Sequence, residues 1–98
     1  MYINFEQVHN YFENLVFTEV SRMAEDYPDF SADMLTDVAC VALNRLPARY
    51  VRHDVDLMFY LTEVERAAIE QSLHEALEHA FAFVAKRVSR APAPRPGT

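Results

Sequence analysis

Apolar residues recur at three- and four-residue spacing along most of this chain, the period of amphipathic helices. Phe5, Val8, Phe12, Leu15, Val16, Val20 and Met23 form one stripe. They predict a first helix over residues 4–26, with Asn4 as its N-cap. Tyr27-Pro28-Asp29 ends it, because a proline disfavours helical geometry in the residue before it. Ser31 or Asp33 then caps a second helix over 32–45, whose inner face carries Met34, Val38, Val41, Ala42 and Leu46. Asp37 and Asn44 lie two turns apart near the edge of that face. Pro47 stops this helix, and 48–54 read as an irregular connection.

The run Leu57-Met58-Phe59-Tyr60-Leu61 is too short to assign by period. It reads as a short helix over 54–60 capped by Asp54, with an extended segment as the alternative. Thr62-Glu63-Val64-Glu65 is a capping box, and from it the longest helix runs over 62–88. Ile69, Leu73, Ala76, Leu77, Ala80, Phe81, Val84 and Val88 make its stripe. The predicted fold is all-α: one small helical bundle of about four helices, with a long C-terminal helix and no sheet. A helix of roughly 40 Å overhangs a domain of this size, and a homodimer through the fourth or first helix would cover the excess. The domain occupies 1–90; 91–98, Ala-Pro-Ala-Pro-Arg-Pro-Gly-Thr, is a proline-rich tail expected to be disordered.

Composition narrows the function classes. The chain has 98 residues, 51% of them hydrophobic, enough for one packed domain. Its single glycine is Gly97, which excludes glycine-loop nucleotide folds of the P-loop or Rossmann type. A net charge of −6 argues against nucleic-acid binding. The N-terminus is acidic and no apolar run approaches the roughly 20 residues that span a bilayer, so a cytoplasmic protein without a membrane partner is expected. Cys40 is the only cysteine and lies in an apolar run, where a small buried core residue is expected. His74 and His79, with Glu70, Glu75 and Glu78 nearby, invite a metal reading. The histidines are five residues apart and diverge by about 140°, so solvated helix pairs are the better account. Neither Cys40 nor Ser31, Ser72 or Ser89 stands in a nucleophile motif, and nothing fixes Glu13 and Asp37 as an acid–base pair. The expectation is a non-enzyme without cofactor or metal.

One cluster opposes the global charge. Asn44, Arg45, Arg49 and Tyr50 fall within seven residues at the end of the second helix, and Arg52 follows, so three of the nine basic residues gather there. Such a cluster suits a docked anion. It also suits a helix end whose cations answer the negative pole of the helix dipole. Around it, Asp37-Val38, Ala42-Leu43-Asn44-Arg45-Leu46-Pro47 and Tyr50-Val51 resemble the signature of the ComFB (late competence development protein) family, roughly DVxALALNxLPPxYV. Upstream, Asn10-Tyr-Phe-Glu13-Asn-Leu-Val16 followed by Glu19-Val20 is similar to the family's N-x-x-E-x-L-V opening. Ala48 departs from the second proline. Ser31 and Met34 stand where cysteine-bearing members carry C-x-x-C, so thiolate chemistry is closed to this chain at those positions.

The resemblance implies a helical module, in a family whose members have been implicated as receptors for cyclic dinucleotides such as cyclic di-GMP. Arg45, Arg49 and Arg52 would then meet phosphates or stack on bases, as guanidinium groups do better than ammonium groups. Tyr50 would stack, Asp37 with Asn44 would hold the bend or a guanine edge, and Asp37 or Glu13 would accept from guanine N1 and N2. The competing class is a protein-interaction module whose bend and exposed helical surface dock a downstream protein partner.

Overall fold

The computed structural model describes residues 1–90, with side chains through Val88. The elements in order are β1 (His9–Asn10), α1 (Phe12–Met23), α2 (Ala32–Arg45), β2 (Tyr50–Val51), α3 (Asp54–Tyr60) and α4 (Glu63–Arg90), with a 3₁₀ turn over Ala24–Asp26 extending α1. The four-helix expectation holds, and the long fourth helix leaves its capping box as predicted. The Glu65 amide donates to Thr62 Oγ1 at 3.1 Å, and the Thr62 amide donates to Glu65 Oε2 at 3.4 Å. The tail over 91–98, expected to be disordered, lies outside the described residues. Among the described residues no helix is long and apolar enough to cross a membrane.

Ser31 is the N-cap of α2: its Oγ accepts from the Met34 amide at 3.1 Å. In return the Ser31 amide donates to Met34 Sδ at 3.5 Å, a weak acceptor where a capping box usually has Glu or Gln. The two positions that hold cysteines in other members are therefore a helix cap here.

The core lies among α1, α2 and α4. Phe12, Val16, Val38, Ala42, Leu77, Ala80 and Phe81 are all buried in one cluster. The connection between α1 and α2 closes its end, with Tyr27 stacked on Phe81 at 4.2 Å and Phe30 edge-on to Tyr27. A smaller cluster of Tyr11, Leu57 and Leu61, with Val51 and Ile69 against it, seats α3.

Three expectations are corrected. The first helix begins at Phe12, not at 4, and the chain before it turns and pairs antiparallel with β2, His9 opposite Val51 and Asn10 opposite Tyr50. The two strands are the sheet the sequence reading lacked. Phe5 and Val8 continue the helical period but are exposed, because no other element packs there. Asn4 caps nothing; its Oδ1 accepts from the Glu6 amide in a local turn. Cys40 is exposed, not in the core. Ala39 is buried instead, because α2 lies between α1 and α4 and its apolar face is wider than one stripe. Asp54 is the first residue of α3 rather than its cap, which is His53.

Candidate functional site

The bend between α2 and β2 is held from the N-terminal side. Asn10 is the one buried polar residue among the described residues, and its Oδ1 accepts from two amides, Arg49 at 3.0 Å and Phe12 at 3.3 Å. The Arg49 carbonyl accepts in turn from the Tyr11 amide at 2.7 Å. Both backbone groups of Arg49 are thus tied to the entry of α1, leaving its side chain to face outward. One residue earlier, His9 bridges the same region to α3. Its Nε2 lies 2.7 Å from Asp54 Oδ1 and its Nδ1 2.6 Å from the Gln7 carbonyl. The Gln7 carbonyl first, then the Asp54 carboxylate, favour the doubly protonated ring and raise the His9 pKa above its ordinary 6.5; the field of Glu13 adds to this.

Arg45, Arg49 and Arg52 are all exposed, as are Asn44 and Tyr50, the latter at 68%. Among the described residues no hydrogen bond or ion pair engages the three guanidinium groups. Beside Arg49 opens a cleft of about 280 Å³ between the bend and α4, with Phe12, Pro47, Ile69 and Ser72 in its walls. Alternation along β2 sends Tyr50 to the face opposite Val51, which packs on the small cluster. The bend therefore presents its cations on more than one side, and of the seven candidate residues only Arg49 lines this cleft.

Two candidates sit elsewhere. Asp37 is eight residues before Arg45, about 12 Å along α2, and borders a separate groove with Val84 and Val88 of α4. Glu13 is half-buried in the first turn of α1, in the field of His9. Sequence reasoning gave no role to Asn10, His9 or Asp54. For Asn10 a signal existed: an Asn just ahead of an apolar run is a local amide acceptor, but the period of Phe5 and Val8 placed it inside a helix.

The Asn10 anchor ties the upstream motif to the Arg49 bend, which makes one structural unit of the two matched segments. A family model, Late competence development protein ComFB, matches residues 9–88. The chain belongs to the ComFB family. That membership makes it a competence-related regulatory protein. No curated protein and no solved structure matches it. The span matched by the ComFB model begins at His9, the first residue of β1, and takes in α1 to α3 and α4 through Val88.

Proposed function

We propose that this ComFB chain is a small, non-catalytic cytoplasmic receptor that binds cyclic di-GMP at the bend after α2. The observation that carries the reading is the set of three exposed guanidinium groups, free of carboxylate partners among the described residues, in a chain of net charge −6. Unpaired arginines on a tethered bend favour an anionic ligand, because the bend is ordered before the ligand arrives. The cleft of about 280 Å³ is at the lower edge of the roughly 300–1,000 Å³ typical of small-molecule pockets. It suits one purine base, with the phosphates outside on Arg45 and Arg52. A twofold-symmetric ligand then fits a homodimer, each copy offering the same residues.

Calorimetry with cyclic di-GMP tests this. Arg49→Ala or Arg45→Ala is expected to weaken binding more than about tenfold, from charge-assisted bonds of roughly 1.5–3 kcal/mol each. The melting temperature should hold, since both side chains are exposed. Absence of binding at high micromolar ligand would overturn the reading. A second class, a protein-interaction module without small ligand, is favoured by one observation: Phe59 and Tyr60 of α3 are 84% and 83% exposed, beside exposed Val55 and Met58.

A further inference from the structure

A second groove lies between α2 and the last turns of α4, away from the Arg49 bend. It encloses about 300 Å³. Val41, Phe83, Val84 and Val88 supply its apolar surface, and Asp37 and Cys40 stand along its α2 side. Asp37 is exposed and has no hydrogen bond or ion pair among the described residues. Arg87 lies on the α4 side, so Asp37 is the anionic group of the groove. We infer that this groove is the seat of the chain's own segment 91–98, folded back from the end of α4 as an intramolecular cover.

Position, reach and chemistry carry the inference. The chain leaves α4 at Arg90, two residues beyond Val88 of the groove. Ala91 precedes Pro92, and a residue before proline disfavours continuation of the helix, so the path turns there. Phe83 is seven residues back from Arg90, about 10 Å along the helix axis. Eight residues extend to roughly 26 Å, enough to turn and cover that distance. Pro92, Pro94 and Pro96 lack amide protons, so the segment can lie on an apolar floor with fewer donors stripped of water. Arg95 falls midway along it and offers the guanidinium that Asp37 lacks.

Cys40, the only thiol, lines the groove and reports its cover. The measurement is the rate at which Cys40 reacts with dithionitrobenzoate, in the whole chain and in a chain ended after Arg90. The ratio of the two rates is the protection, so direct effects of a substitution on the thiol cancel. The whole chain is expected to react at least about fivefold more slowly, a docked state favoured by about 1 kcal/mol. Equal rates, with both chains shown folded by circular dichroism, would overturn the inference. Arg95→Glu and Asp37→Lys should each reduce the protection at low salt, and the double variant should recover it. Protection unchanged by either single substitution counts against the docked geometry. Protection independent of protein concentration supports a cover from the same chain. Protection that grows with concentration assigns the groove to a second copy and overturns the inference.

Discussion

Asn10 does more for the bend than any of the arginines that follow it. Its amide oxygen is the acceptor for both Arg49 and Phe12, and a buried amide left without a partner costs about 1–3 kcal/mol. Asn10→Ala is therefore expected to lower stability by about that amount in urea denaturation. Amide exchange at Arg49 and Phe12 should quicken in the same variant; an unchanged Arg49 rate would show that the bend holds without it. His9 adds a pH-dependent tether. Its pKa is raised in the folded protein, through the Gln7 carbonyl and Asp54, so folding favours the protonated ring. The stabilisation is full below the unfolded value near 6.5 and is lost as pH rises through the higher folded value. The gap in melting temperature between the natural chain and His9→Gln should accordingly narrow as pH is raised across that window. A gap constant with pH would mean that the ring's charge plays no part.

At the scale of elements, α2 shows how local chemistry and packing divide the work. Its start is set by Ser31, and Ser31→Ala is expected to cost about 0.5–2 kcal/mol in chemical denaturation, the range for lost N-caps. Met34 supplies only a thioether in return, so Met34→Gln should recover part of a capping box and raise stability slightly. The middle of α2 depends on its neighbours. Ala42 is fully buried in the cluster it shares with Ala80 of α4. A larger side chain there forces helices apart or strains rotamers, at about 1–3 kcal/mol. Ala42→Leu should show that loss in thermal melting, whereas Cys40→Leu on the exposed side of the same helix should not.

The whole molecule is elongated. Its radius of gyration is 16.6 Å, against about 13 Å for a compact chain of this length. The first turns of α4 are exposed around Val64, and a groove of about 470 Å³ runs between α1 and α4, floored by Leu15, Leu73 and Leu77. A second copy laid along this groove is the proposed homodimer, and a stable interface of about 1,600 Å² in total is within reach of two long helices. Light scattering is expected to give about twice the chain mass of 11.3 kDa at tens of micromolar. Thr18→Arg, an exposed position on the groove, should return the monomer. A monomeric natural chain at that concentration would remove both the dimer and the bridging mode of ligand binding.

Helix ends, helix faces and the family signature were legible in the residues, because a cap, a proline and an apolar period act over three or four positions. Ser31, the Thr62–Glu65 box and the Tyr27-Pro28 stop are all of that kind. Tertiary structure decided which apolar residues would meet a partner. Phe5 and Val8 carry the same period as Phe12 and Val16, yet only the latter pair faces α2 and α4, and Cys40 lost to Ala39 on the same ground. It also decided the site's frame. The bond from Arg49 to Asn10 joins positions 39 residues apart, and no local propensity encodes such a contact. Arginines could be counted at the bend from the sequence, but where each one points depends on a strand pair that exists only once the chain has closed.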